Sequence, residues 1–249
     1  MFTVAEEGRI GRVSPTSIAS LLRQAVIFRN LPPTALDQLA AKQVTRSIEE
    51  GSYFFQQGEA GRHLFLLAEG RTKITQVTPD GQQVVLRVVV PGQVFGSMAV
   101  LRAEGDYPAS ALAMEDSSAA AWDGAFLRQL AEREPALNLN LMDLMHGHIE
   151  EMQSRFREVA TERVEQRLAQ TLLRLATQAG RRDPDGHVKL DLRLTRQDLA
   201  EMIGTTLYYV SRLLSEWERR GLVSTGRESI TILNPHGLVN IAEDLEHQT

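Results

Sequence analysis

The chain has 249 residues, 27 Lys and Arg against 32 Asp and Glu, and no cysteine. This length accommodates two modest domains, each with its own core. The absence of cysteine excludes disulfides, thiol redox sensing, cysteine-ligated iron–sulfur clusters and Cys-type zinc sites. No apolar run approaches the roughly 18 residues that span a membrane, and the first residues lack a signal peptide's apolar core. We therefore expect a cytoplasmic protein without a membrane partner.

The N-terminal part of the chain predicts an arm followed by two short helices. Residues 1–19 are assigned to the arm, and the next predicted domain covers residues 20–135. Pro15-Thr16-Ser17 is suited to capping a helix, because Ile18, Leu21 and Leu22 follow at helical spacing. Leu31-Pro32-Pro33 then interrupts this helix, and a second short helix begins.

Between residues 42 and 121 the pattern changes to short apolar runs separated by glycine. The glycines recur about every ten residues, at Gly51, Gly58, Gly70, Gly81 and Gly92. Short strands between regular turn signals predict a compact antiparallel barrel or jelly roll. Pro79-Asp80-Gly81, placed between two apolar runs, predicts a hairpin.

Residues 136–161 predict a long helix with an apolar seam. The seam residues are separated alternately by three and four positions, which is the a/d spacing of a heptad repeat. One interpretation is a helix buried on its own domain, and the other is a helix that pairs with its twin in a homodimer. The narrow period of the C-terminal part favours the homodimer. The seam consists of Met142, Met145, Ile149, Met152, Phe156 and Val159.

Residues 162–235 predict a winged helix-turn-helix domain, followed by a C-terminal tail at 236–249. A helix from Arg163 ends at Gly180, a polar loop covers 181–186, and strand-like residues lead into the motif. Two short strands around Gly226-Arg227-Glu228 form the wing. The segment contains 12 Lys and Arg against 10 Asp and Glu, a weakly basic balance in an acidic chain. That balance has the sign expected for DNA contact.

The second helix of the motif has two different faces, as expected for a helix that enters a DNA major groove. Arg212 is the strongest candidate, because its guanidinium can contact guanine O6 and N7 together. An alternative role for Arg212 is a surface ion pair with Glu216. For Tyr208, the alternative is packing against its own domain. The candidate DNA-binding residues are Thr195, Arg196, Gln197, Thr205, Thr206, Tyr208, Tyr209, Ser211, Arg212, Ser215 and Arg227.

The order of these parts, with the segments LAQTLLRLATQ, GTTLYYVSRLL and GLVSTGRESITI, closely resembles the CRP/FNR family of bacterial transcription regulators. The resemblance covers about residues 20–235. It implies an α+β chain: an N-terminal double-stranded β-helix (jelly-roll, cyclic-nucleotide-binding-like) domain, a long dimerisation helix and a C-terminal winged helix-turn-helix. It also implies a homodimer on a palindromic double-stranded DNA operator, a small-molecule effector in the barrel, and RNA polymerase as a partner.

The sequence departs from the family pattern in the recognition helix. Many members carry Arg-Glu where this chain has Leu207-Tyr208. A carboxylate that accepts from the cytosine amine is therefore missing, and the DNA target should differ at that base pair.

The barrel departs from the pattern more strongly. Cyclic-nucleotide binders carry Gly-Glu and then Arg-Ser-Ala, whereas this chain has Gly96-Ser97 and then Tyr107-Pro108-Ala109-Ser110-Ala111. Without the arginine, a buried phosphate lacks its counter-charge, so the pattern argues against a cyclic nucleotide. The candidate effector-binding residues are Gly96, Ser97, Met98, Tyr107, Pro108, Ala109 and Met152.

The Tyr-Pro-Ala-Ser-Ala segment in a cysteine-free chain is similar to that of the nitric-oxide-responsive members, which are associated with haem. A haem-based gas sensor, or another small-ligand sensor in which DNA binding is secondary, is therefore the alternative function. The weak candidates for the haem ligand are His63, His146 and His148. The chain has no phosphate loop, no H-E-x-x-H and no G-x-S-x-G, so we expect no enzyme activity.

Overall fold

A computed structural model describes residues 15–97, 100, 102–226 and 228–245, and it describes side chains from residue 18 onward. These residues form two compact units, which divide the long helix between Ile149 and Glu150. The predicted segment 136–161 is therefore shared by the two units rather than standing as a separate domain. No helix in the described ranges is long and apolar enough to cross a membrane.

The N-terminal unit begins with helix α1 (Pro15–Gln24), a 3-10 turn (Val26–Phe28) and helix α2 (Pro33–Lys42). Ile18 and Leu22 are buried because they share the face of α1 that packs on the core. The predicted boundary of the arm at residue 19 is therefore too late, since the described helix begins at Pro15. The helical spacing of apolar residues from Ile18 onward already indicated a helix before residue 19.

In the described part of the N-terminal unit, eight strands build the predicted jelly roll. They form two antiparallel four-stranded sheets, ordered β1-β8-β3-β6 and β2-β7-β4-β5. All five of the regularly spaced glycines have positive φ, between 78° and 88°, which is why the turns between strands favour glycine. The strands are β1 (Val44–Ile48), β2 (Tyr53–Phe55), β3 (His63–Glu69), β4 (Thr72–Val77), β5 (Gln83–Val89), β6 (Val94–Phe95), β7 (Ser110–Ala113) and β8 (Ser117–Asp123).

Two apolar clusters hold this unit together. Inside the barrel, aromatic residues such as Phe55, Phe65 and Phe95 pack against small alanines of β7 and β8. Outside it, the helices cover Trp122, whose indole N–H donates to the Leu39 carbonyl at 2.7 Å. The small residues of β8 leave room for the larger rings that face them.

Two helices follow the barrel, α3 (Gly124–Arg133) and the 27-residue α4 (Pro135–Thr161). Leu137 and Leu141 of α4 are buried in the outer cluster. The seam residues lie on a different face, described below.

The C-terminal unit is a winged helix-turn-helix. Its helices are α5 (Val164–Ala179), α6 (Arg196–Ile203), α7 (Leu207–Arg219) and α8 (Pro235–Ala242). Its strands are β9 (Gly180–Arg182), β10 (Val188–Leu190), β11 (Val223–Gly226) and β12 (Ser229–Ile232), which form one sheet ordered β11-β12-β10-β9.

Two boundaries in this unit differ from prediction. The polar segment 181–186 contains part of β9, which pairs with β10 through backbone groups that a polar sequence does not disclose. The predicted tail from residue 236 contains most of α8, and Leu238 is fully buried in this unit. Pro235 at the first helical position and the Asn234 side chain, which accepts from the Gly237 N–H at 2.9 Å, start that helix.

Candidate nucleic-acid interface

A capping box starts α6. The Thr195 hydroxyl accepts from the Asp198 N–H at 3.0 Å, and the Asp198 carboxylate accepts from the Thr195 N–H at 2.9 Å. Asp198 is 4% exposed, so its carboxylate is committed to this cap. The helix ends at Gly204 with φ 66°, a left-handed conformation that allows the tight turn into α7.

Helix α7 presents one apolar and one polar face. Val210, Leu213, Leu214 and Trp217 are buried, and the Trp217 indole N–H donates to Glu165 at 3.3 Å. The N-terminus of α7 is capped by Thr206, whose hydroxyl accepts from the Tyr209 N–H at 3.3 Å. These contacts fix the helix on its domain and leave the opposite face exposed.

The predicted base-contacting residues lie on that exposed face. Tyr208 is 75% exposed, which removes the alternative that it packs against its own domain. Arg212 and Ser215 are exposed, and Ser211 is half-buried. Within the described part of the chain Arg212 forms no ion pair with Glu216, although the sequence offered that pairing. Its guanidinium is therefore available to a ligand.

The other predicted DNA-binding residues flank this face. Thr205 is half-buried, and Tyr209 is 42% exposed. Gln197 is exposed, and its amide donates to Glu201 at 2.9 Å. Arg196 is half-buried, and its guanidinium donates to the Thr225 hydroxyl of the wing strand β11 at 3.1 Å. Arg227 lies outside the described residues.

Sequence analysis missed Glu218, near the C-terminal end of α7. Its carboxylate accepts from both the N–H and the hydroxyl of Thr225 in β11, at 2.7 and 2.8 Å. These two hydrogen bonds, helped by the nearby Arg196 charge, lower the pKa of Glu218. Glu218 and Thr225 are seven residues apart, on either side of the turn from α7 into β11, and this spacing gives no motif that sequence reasoning could have used.

The predicted dimer seam is exposed along α4. Phe156 is 77% exposed, Met142 is 67%, and Met152 is 64%. Val159 and Ile149 are also exposed, and Met145 is half-buried. The chain itself does not bury this seam, contrary to the interpretation of α4 as a helix covered by its own domain.

The barrel brings several predicted effector residues together at the start of β3. The Tyr107 ring stacks on Phe55 with centroids 3.7 Å apart. Its hydroxyl donates to the His63 carbonyl at 2.8 Å and accepts from the His63 N–H at 3.0 Å. Tyr107 is 4% exposed, and burial raises the pKa of its phenol. The only donor hydrogen of this side chain is therefore used within the barrel and is not available to a ligand.

Gly96 lies in the same region, at a position that only glycine can occupy. Its φ is 75°, and an added Cβ would lie 2.8 Å from the His63 carbonyl oxygen. Ala109 is buried in the same aromatic cluster, Pro108 is exposed and Ser97 is half-buried. Met98 lies outside the described residues, and Met152 belongs to the other unit.

The histidines do not build a haem site in the part of the chain that is described. His63 is half-buried beside Phe65, and burial followed by the charge of Arg46 lowers its pKa. His146 is exposed and His148 half-buried on α4. Phe65, next to the His63 ring at 6.1 Å between centroids, belongs to the packed aromatic cluster of the barrel, so the surroundings of His63 do not fit a haem.

This architecture defines a class of protein. A jelly roll, a long helix with an exposed apolar seam and a winged helix-turn-helix with an exposed polar recognition face are the parts of a two-domain DNA-binding regulator.

Comparisons with known proteins agree with this class. The model of the cyclic nucleotide-binding domain matches residues 45–134, and the model of the Crp-like helix-turn-helix domain matches residues 166–241. The "Cyclic AMP receptor protein" of Thermus thermophilus is 28% identical, covering 89% of this chain and 98% of its own length. The "Fumarate and nitrate reduction regulatory protein" of Vibrio cholerae is also 28% identical, covering 83% of this chain and 81% of its own.

The solved structure of FixK2 from Bradyrhizobium japonicum superposes with a TM-score of 0.71, at 20% identity, over 80% of this chain and 96% of that one. This likeness concerns the fold. With both family models and the similar relatives, the chain belongs to the CRP/FNR family of transcription regulators.

Proposed function

We propose that the chain works as a homodimer that binds a palindromic DNA operator, with α7 of each protomer in a major groove. The observation that carries this proposal is the two-faced α7. Its apolar face is buried, and the opposite face leaves Arg212 and the largely exposed Tyr208 free of their own domain. Bidentate contact of an arginine with guanine is worth about 1–3 kcal/mol of base discrimination.

The seam of α4 supports the homodimer. Five apolar side chains at a/d spacing are each 46% to 77% exposed in the single chain. A contiguous exposed apolar stripe is unfavourable in water, and its heptad period matches the same seam of a second helix. Two helices paired in this way place two recognition helices in a symmetric arrangement, which matches the two-fold symmetry of a palindrome.

The barrel is the proposed effector domain, and a cyclic nucleotide is a poor fit to it. Where cyclic-nucleotide binders of the family carry Gly-Glu and then Arg-Ser-Ala, this chain has Gly96-Ser97 and then Tyr107-Pro108-Ala109-Ser110-Ala111, and neither plausible register of that segment supplies the arginine. Ala109 is buried among aromatic rings, so a phosphate there would lie in an apolar environment without a cation. The effector is therefore expected to be a small molecule without a buried phosphate.

The remaining assignments follow from the family. RNA polymerase is the proposed partner through which DNA binding affects transcription, and the cytoplasm is where the protein meets both. We assign no enzyme activity, since the relatives are regulators.

Selection from random duplexes tests the proposal. The purified full-length protein is incubated with the pool, with and without a small-molecule cell extract, and bound duplexes are sequenced. We expect enrichment of a palindrome with half-sites about one helical turn apart. Failure to enrich any palindrome under both conditions would contradict the proposed function.

A further inference from the structure

We infer that Glu218 and Thr225 are positioning residues for DNA binding, which hold Arg196 and the wing in place beside the recognition helix. Sequence analysis named Arg196 only as a candidate DNA-binding residue and gave no role to Glu218 or Thr225. The inference rests on the DNA-binding function proposed above.

Three elements meet in this cluster. Arg196 is the first residue of α6, Glu218 lies in the last turn of α7, and Thr225 is in β11, directly before the wing turn. The Arg196 guanidinium donates to the Thr225 hydroxyl at 3.1 Å, and that hydroxyl donates to Glu218 at 2.8 Å. The Thr225 N–H donates to the same carboxylate oxygen at 2.7 Å.

The direction of these bonds determines what the cluster does. A hydroxyl that donates to a carboxylate becomes a better acceptor, so Glu218 strengthens the bond from Arg196 to Thr225. Glu218 also lies close enough to Arg196 to interact with its charge. One Nη2 hydrogen of Arg196 is used here, and a guanidinium has five N–H donors, so four remain for a phosphate.

The position of the guanidinium suits a phosphate contact. It lies at the N-terminal end of α6, where the free backbone N–H groups and the positive end of the helix dipole favour an anion. Thr225 fixes a long, flexible side chain at this end before DNA arrives. This arrangement reduces the entropy lost when the complex forms. It also fixes the end of β11, and hence the start of the wing turn, relative to α7.

The inference predicts a change of DNA affinity in the direction opposite to the usual effect of removing an acidic residue. Removal of an acidic residue near DNA normally strengthens binding, because repulsion of the phosphates falls.

The affinity of full-length protein for the duplex recovered by selection is measured by fluorescence anisotropy. We expect Glu218→Ala to weaken binding about 10-fold. The control Glu216→Ala removes the same charge from the same helix and should leave binding unchanged or tighter. Equal effects of the two variants would overturn the inference.

A double-mutant cycle separates positioning from a merely structural role. Thr225→Val keeps the backbone bond and the strand propensity but removes both hydroxyl bonds, and we expect a 5- to 10-fold loss of affinity. Arg196→Gln should cost about 10-fold and lower the salt dependence by about one phosphate contact. In the Arg196→Gln background, Thr225→Val should cost almost nothing further.

An undiminished loss from Thr225→Val in the absence of Arg196 would refute the coupling. Circular dichroism melting of each variant checks that the domain remains folded. Absence of any bound duplex for the unaltered protein would contradict the proposed function itself. Binding by the unaltered protein with unaffected variants would contradict the inference alone.

Discussion

At the scale of single residues, Tyr107 shows how one side chain can satisfy two backbone groups. Its hydroxyl both donates to and accepts from His63 at the first residue of β3, inside an aromatic cluster. Without the hydroxyl, the backbone carbonyl and N–H of the half-buried His63 lose a partner, and such a group costs about 1–3 kcal/mol if it is left both buried and unsatisfied.

We therefore predict that Tyr107→Phe lowers the free energy of unfolding of the N-terminal unit by about 1–3 kcal/mol. Native-state hydrogen exchange of the β3 amides measures this quantity within the full chain. The matched control is Tyr53→Phe, since Tyr53 is 41% exposed on β2. Equal protection of the β3 amides in both variants would show that the hydroxyl contributes nothing.

Residue chemistry also explains which site residues the sequence could disclose. Thr195 and Asp198 are three positions apart, which is a local signal, and the capping box is present. The role of Glu218 depends on a strand that approaches only after folding, so spacing alone could not show it. The same holds for Tyr107, whose partner is 44 residues away in the chain.

At the scale of elements, α4 combines a buried start with an exposed seam. Leu137 and Leu141 pack on the N-terminal unit, whereas Phe156 and Met152 face solvent in the single chain. The heptad period predicted an apolar seam but left open what covers it. The structure removes self-burial as the answer, and a second copy of the helix becomes the proposal.

We predict that Phe156→Glu shifts the protein from dimer to monomer, because a pair of carboxylates would face each other across the two-fold axis in an apolar seam. Sedimentation velocity measures the mass at several concentrations. Gln153→Glu introduces the same carboxylate at an exposed polar position of the same helix and should remain dimeric. A dimeric Phe156→Glu variant would place the interface elsewhere.

A partly buried ion pair joins the end of α4 to α5. Glu158 is 7% exposed and accepts from Arg174 at 3.1 Å, while Arg155 lies nearby and repels Arg174. Removal of Glu158 leaves the half-buried Arg155 and Arg174 charges close together without this carboxylate between them, whereas removal of Arg174 leaves Glu158 beside Arg155.

We predict that Glu158→Leu lowers the free energy of unfolding of the C-terminal unit by about 3 kcal/mol, and Arg174→Leu by less. The double variant should lose less than the sum of the two single variants, because the unpaired charge disappears. Hydrogen exchange of the α5 amides provides the measurement. Strict additivity would mean that the pair is not coupled.

At the scale of the whole molecule, the order of elements could be predicted and their exact limits could not. Glycines such as Gly51 and Gly92 marked the turns of the barrel, because only the positive φ of those positions requires them. Helix α8 was mistaken for a tail, since a short helix with Pro235 and Gly237 near its start gives little periodic signal. Strand β9 was missed because backbone pairing with β10 does not need apolar side chains.

The two domains also differ in how well the sequence alone predicts their candidate sites. The proposed DNA-binding face depends on side chains within one helix, α7, so helical spacing was sufficient to predict that Arg212 and Tyr208 lie opposite its buried face. The effector region depends on contacts among β2, β3 and β7 and the loop that carries Tyr107, which only the folded barrel brings together. Effector identity therefore requires a binding experiment rather than a motif.

The most direct test of the central claim repeats the random-duplex selection with the unaltered protein and with Arg212→Ala. If two copies of α7 contact bases symmetrically, the variant should lose its preference at one base pair in each half-site, at the same distance from the centre of the palindrome. The loss should correspond to about 1–3 kcal/mol per base pair. Uniformly weaker binding, with the enriched sequence unchanged, would show that Arg212 contacts phosphate and would contradict the proposed base recognition.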